Sequence, residues 1–342
     1  MIRVLLAAVC LVLFAAIVEA SGLDDLKAAN TAAQHGKIDE AVRLFGQALA
    51  ASDLSAANRV TAYKGRANEY IGKSLIDDAF QRLDQARQAR KNAIADFTAA
   101  LKLKTDDAAL YVARAQAYAF NGENDSAIAD FDAALKLDNS PLTLLQRGAS
   151  LLAKGDYDRA IADYTAAIAL AAKPAKDAKD ADPDAADLYS ERGKAQFIAA
   201  HYAGAAADLN KALTLGSAAR SGDVLWLPYQ IAWLHIARAR AGQNDTEELK
   251  RNAGKIDLKQ WPGTLVAYFL GQVKIDQLTP PSGHGAMGHS RECNLSFFAA
   301  EQALAKNDSA QAAQLLTHAR AVCNIHSVQY LAAEVESKRL GK

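Results

Sequence analysis

The chain has 342 residues, with 39 Lys plus Arg against 39 Asp plus Glu. That zero balance argues against a general nucleic-acid binder or a polybasic membrane-surface protein. Hydrophobic residues make up 51% and aromatics only 7%, with seven Pro and 20 Gly, which excludes global disorder and a collagen-like or linker-dominated chain; much of the apolar share is Ala, the strongest helix former.

Residues 1–20 read as an address. Arg3 precedes an apolar run from Val4 to Val18, then Glu19-Ala20. The run has the length of a signal-peptide core and falls short of a membrane span, so cleavage after Ala20 is expected, with an uncleaved anchor as the alternative. Cys10 follows Val9, where a lipid-attachment signal would place Gly, Ala or Ser. No other stretch reaches spanning length. The mature chain is therefore expected in the periplasm or secreted, without stable membrane insertion.

From residue 21 onward one pattern recurs: Ala, an aromatic or Leu four residues later, and Ala three further on. It appears as Ala41/Phe45/Ala48, Ala93/Phe97/Ala100, Ala127/Phe131/Ala134, Ala160/Tyr164/Ala167, Ala205/Leu209/Ala212 and Ala312/Leu316/Ala319. This spacing places each set on one helix face. A turn residue lies five before the first Ala in most sets: Gly36, Gly122 and Gly155, with Ala200 and Asn307 as substitutes. A small residue lies seven earlier still, as at Ala115, Gly148 and Gly193. The reading is an antiparallel helix pair in which that small residue admits the second helix.

The sets at Ala93, Ala127 and Ala160 are spaced by 34 and 33 residues. On these residues the chain resembles the tetratricopeptide (TPR) repeat family, whose unit is a 34-residue helix-turn-helix. The resemblance implies an all-α fold, a right-handed TPR superhelix (α-solenoid) of about six to seven repeats. It extends over residues 21–215 and returns in 291–342 as a last hairpin plus a capping helix, with degenerate helical repeats and a loop at 216–290.

Two departures interrupt the period. Gly72 and Ala93 are 21 residues apart where five are expected, so an insert at 74–91 is read as a longer second helix or an added helix. Residues 173–183, charged and bracketed by Pro, read as an exposed linker. Cys293 and Cys323 stand near the start of one helix and the end of its partner, which lie side by side in an antiparallel pair. A disulfide there would contribute roughly 3–4 kcal/mol by loop closure; two buried thiols are the alternative. The tail, from Trp261-Pro262-Gly263 to Tyr330-Leu331-Ala332-Ala333, also resembles bacterial periplasmic TPR adaptors of the NlpI type. That likeness implies a scaffold for cell-wall enzymes.

Catalytic signatures are missing: no Gly-x-Ser-x-Gly, Gly-rich phosphate loop, His-Glu-x-x-His or Cys-x-x-Cys occurs. No cofactor and no enzymatic activity are expected. In a TPR array the first helices line a concave groove, and by register the candidates for partner binding are Arg66, Tyr70, Val112, Gln116, Phe120, Leu145, Leu152, Lys194 and Phe197. Several of these have packing between repeats as the competing role. The expected function is a non-catalytic exported scaffold that binds protein or peptide partners of the cell envelope, with room for a homo-oligomer. The alternative is a metal- or small-molecule-binding envelope protein using the loop that carries His284, Met287 and His289, although its spacing matches no standard zinc pattern.

Overall fold

A computed structural model describes residues 21–172, 184–219, 225–278, 286–325 and 327–341, with backbone alone for 217–219 and 286–289. The expected signal peptide and the 173–183 linker lie outside the described residues. Within them there are sixteen α-helices and no strand. No described helix is long and apolar enough to cross a membrane.

The chain divides into two compact units, one ending at Thr105 and one beginning at Asp106. The first holds α1 (Gly22–Gln34), α2 (Ile38–Ala50), α3 (Ala56–Ala79) and α4 (Leu83–Leu103). The second opens with the hairpins α5 (Ala108–Phe120) with α6 (Asn124–Leu137), α7 (Pro141–Lys154) with α8 (Tyr157–Ala171), and α9 (Ala185–Ile198) with α10 (Tyr202–Ala219). It continues with α11 (Trp226–Arg240), the short helices α12 (Thr246–Ala253) and α13 (Gly263–Phe269), the hairpin α14 (Ala286–Ala305) with α15 (Ser309–Val322), and α16 (Val328–Arg339).

Local chemistry sets these boundaries. Side chains of Ser21, Ser55, Asp107, Asp156, Asp184, Asp308 and Ser327 accept hydrogen bonds from backbone N–H groups of the first turn, satisfying donors the helix itself leaves open. The hairpin turns pass through left-handed backbone at Gly36, Gly122 and Gly155 and, at φ 64° and 61°, at Ala200 and Asn307. The expected substitutes for Gly therefore do adopt the Gly conformation.

Each hairpin closes on the repeated apolar face. Phe45, Phe97, Phe131, Tyr164, Leu209 and Leu316 are buried, as are the Ala residues flanking them. Burying a side chain of that size contributes about 1.5–3 kcal/mol, while the Ala neighbours let the backbones approach. Beside this face runs a ladder of ion pairs. Arg66, Arg114, Arg147 and Arg192 on first helices each donate two hydrogen bonds of 2.6–2.8 Å to Asp96, Asp130, Asp163 and Asp208 on second helices. Arg147 reaches Asp132 on the preceding hairpin as well, and Arg192 reaches Thr165. The bond to its carboxylate raises each guanidinium above its already high ordinary value.

The insert at 74–91 corrects one expectation. It does not lengthen the second helix alone: α3 and α4 run to 24 and 21 residues, against 13–15 in α5 to α9. The turn moves from Gly72, now inside α3, to the left-handed Gln81. Arg66 and Asp96 each lie 15 residues from that turn, where their counterparts lie eight from theirs. Each helix has thus gained seven residues, a rotation of about 700° and within about 20° of two full turns. The register of the Arg–Asp pair survives for that reason.

The degenerate stretch is also helical and joins the core. Trp233 on α11 meets Phe197, Phe297 and Phe298 at ring-centroid distances of 5.2–5.5 Å. Cys293 and Cys323 form a disulfide with Cα atoms 4.7 Å apart. It ties α14 to the end of α15, immediately before α16.

Candidate functional site

The second unit contains a cleft of about 720 Å³. Its floor comes from two first helices: Gln116, Ala119 and Phe120 of α5, and Gln146, Ala149, Ser150, Leu152 and Ala153 of α7, with Phe131 and Tyr164 beneath. The small side chains Ala119, Ala149 and Ala153 leave the space open. Phe120 is 45% exposed, whereas Leu152 is buried. Glu191 of α9 stands at one edge.

The facing wall is not a repeat. It is the segment from Ile325 into α16, with Ser327, Val328, Tyr330, Leu331 and Glu334. Several contacts hold α16 across the cleft. The Arg240 guanidinium donates to Glu336 of α16 at 3.2 Å and also pairs with Glu301 of α14. Tyr202 contributes its hydroxyl to Glu336 at 3.3 Å. Arg339 donates to the Ile198 carbonyl at 2.6 Å and pairs with Glu336. The Cys293–Cys323 disulfide fixes the chain just upstream. Burial pushes the Glu301 carboxyl up to about 8 despite the pull of Arg240, and burial raises the Tyr202 hydroxyl to about 12.

Three of the nine sequence candidates line this cleft: Gln116, Phe120 and Leu152. The other six do not line it. Arg66 is drawn to Asp96 in the ladder and, with Tyr70, belongs to the first unit. Val112 packs on Ala115, Ala127 and Phe131, and Leu145 packs into the core. Lys194 pairs with Glu191 at 2.7 Å. Phe197 is fully buried against Tyr202 and Trp233, so it faces the core and not the groove. The register argument placed whole helix stripes in the groove; packing between neighbouring hairpins takes up the rest.

The helix expected to cap the array, α16, also forms a wall of the cleft, which the sequence reading did not include. The signal was there: Val328, Tyr330 and Leu331 are more apolar than an outer face needs. The Arg–Asp ladder was also legible, since each Arg directly precedes the small residue and each Asp directly precedes the aromatic or Leu. His284 lies outside the described residues, as do the side chains of Met287 and His289; the backbone of the latter two belongs to the first turn of α14. Among the described residues no cluster of three or more His, Cys, Asp or Glu is placed to hold a metal. What the cleft offers is apolar surface edged by polar and acidic side chains, which suits binding of an extended or helical segment.

Comparison with known proteins agrees with this architecture. The profile of the tetratricopeptide repeat family matches residues 108–141 and 143–174, the two hairpins that supply the cleft floor. No curated protein sequence matches the chain. Among solved structures, a tetratricopeptide repeat protein from Parabacteroides merdae is 14% identical, with 91% of this chain and 98% of that one covered and a TM-score of 0.50. The C-terminal part of a TPR repeat-containing protein from Cytophaga hutchinsonii is 16% identical over 87% of this chain and 95% of its own, with a TM-score of 0.47. YrrB, described as a TPR protein with an unusual peptide-binding site, is 20% identical over 57% of this chain and 86% of its own, with a TM-score of 0.44. The profile match and the first of these structures show the fold, an all-α solenoid of TPR hairpins.

Proposed function

We propose that this protein is a non-catalytic, exported scaffold that holds a protein or peptide partner in the cleft between α5, α7 and α16. The carrying observation is the cleft itself: an open apolar trough of about 720 Å³ with Phe120 half exposed at its edge. Exposed aromatics beside small residues are what an apolar anchor of a partner chain packs into. Two features support export. The first 20 residues have the charge and apolar pattern of a signal peptide, and a disulfide between Cys293 and Cys323 suits an oxidising compartment. The tail's likeness to NlpI-type adaptors points toward envelope partners, among them enzymes of peptidoglycan maintenance.

The test is a crosslinking capture with paired variants. Ala149 is exposed on the cleft floor, so Ala149→Trp fills the trough without disturbing the core. Mild crosslinking of the wild-type chain in its native envelope should recover discrete proteins, and Ala149→Trp and Phe120→Ala should lose most of them. Equal recovery by all three chains would place binding elsewhere.

A further inference from the structure

Charge in the cleft is one-sided. Among the described lining residues the charged side chains are Glu191 and Glu334, and no Lys or Arg is present. Each carboxylate accepts at its Oε1 from a lysine of its own helix, Lys194 and Lys338, at 2.7 Å. Neither lysine lines the cleft, and Lys338, though paired with Glu334, is 70% exposed. The remaining Oε2 atoms accept no hydrogen bond from another described residue.

The cleft thus combines apolar anchoring surface (Phe120, Leu152 and Leu331) with two carboxylates, and no lysine or arginine is among its described lining residues.

We infer that the cleft takes an apolar peptide segment carrying lysine or arginine, with the cation meeting Glu191 or Glu334. This rests on the reading of the cleft as the partner site and adds the chemistry of the partner. An acidic segment or a free terminal carboxylate would meet two carboxylates and no lysine or arginine among the described lining residues.

The experiment separates the two claims. Random dodecapeptides displayed on phage are selected on the full chain and counter-selected on the Ala149→Trp variant, which blocks the trough. The expected yield is segments in which Lys or Arg is flanked by aromatic or aliphatic residues. In a synthetic representative, exchanging that cation for Glu should weaken binding about tenfold by fluorescence anisotropy at low salt, a typical effect for like-charge juxtaposition. The Glu191→Gln/Glu334→Gln double variant should shrink the preference to about twofold while an uncharged version of the peptide binds it as it binds the wild type. Both positions are partly exposed, so the double variant is expected to fold, and its helical circular dichroism checks this. Enrichment of acidic peptides, or a preference unchanged in the double variant, would overturn the inference and leave the cleft as the site. A library emptied by the counter-selection, with every wild-type binder also held by Ala149→Trp, would overturn both.

Discussion

A Cβ added at Gly148 would sit 2.6 Å from the ring of Tyr164. That ring is fully buried, so it has no room to retreat. Gly148→Ala is therefore expected to destabilise the second unit by about 1–3 kcal/mol, the range for overpacking a tight core, read as a lower midpoint in urea. Ala200 presents the opposite case. At φ 64° it occupies a conformation that costs an L-residue about 1–2 kcal/mol, part of which glycine returns as lost chain entropy. Ala200→Gly should raise stability by about 0.5–1 kcal/mol in the same assay; a loss would mean that the Ala methyl makes a contact the turn depends on. Both residues were marked in the sequence by position alone, because a hairpin of this length needs one close approach and one left-handed turn.

Between helices, the Arg–Asp ladder does the work of a register pin. Asp163 is almost fully buried, held by two bonds from Arg147, which in turn reaches Asp132 on the neighbouring hairpin. Asp163→Ala leaves that guanidinium with its main partner gone, and truncating one member of a buried pair costs about 3–5 kcal/mol. The expected readout is a large drop in thermal midpoint, larger than for the exposed pair partner Asp39 (with Lys73) changed to Ala. The long α3–α4 hairpin offers a geometric test. Removing residues 74–80 together with 83–89 takes seven from each helix and returns both Arg66 and Asp96 to eight residues from the turn, as in the other hairpins. That deletion should leave a cooperatively folding protein. Removing 74–80 alone should not, because the two helices no longer match in length and the pair cannot form. The extension itself could be counted in the sequence. How it was shared between the helices could not, since helical spacing continues unbroken from Gly72 to Ala93 and contains no Gly or Pro to mark a turn.

At the scale of the whole second unit, the group that joins the most elements is the Arg240 cluster, which gathers Tyr202 of α10, Glu301 of α14, and Glu336 and Arg339 of α16. Glu301 is completely buried, and that burial, outweighing the pull of Arg240, pushes its carboxyl up to about 8 from an ordinary 4.5. The folded state therefore holds a proton that the unfolded chain releases. The stability this group contributes is full below about pH 4.5 and is lost as pH rises through about 8. The thermal midpoint is expected to fall between pH 6 and pH 9, and Glu301→Gln, which keeps the shape and cannot ionise, should flatten that dependence. A wild-type midpoint insensitive to pH in this window would mean that Arg240 holds Glu301 ionised throughout.

Taken along the chain, residue order alone determined the all-α class, the hairpin period, the Gly-like turns at Ala200 and Asn307, and the proximity of Cys293 to Cys323. These follow from contacts within one hairpin, where partners lie a fixed number of residues apart and spacing reports them directly. Tertiary structure alone decided that Phe197 faces the core, that α16 crosses back to wall the cleft, and that Glu191 and Glu334 border the same space. Those outcomes depend on how separate hairpins stack, and residues such as Gln116 and Leu331, 215 positions apart, come together through packing that no local period encodes.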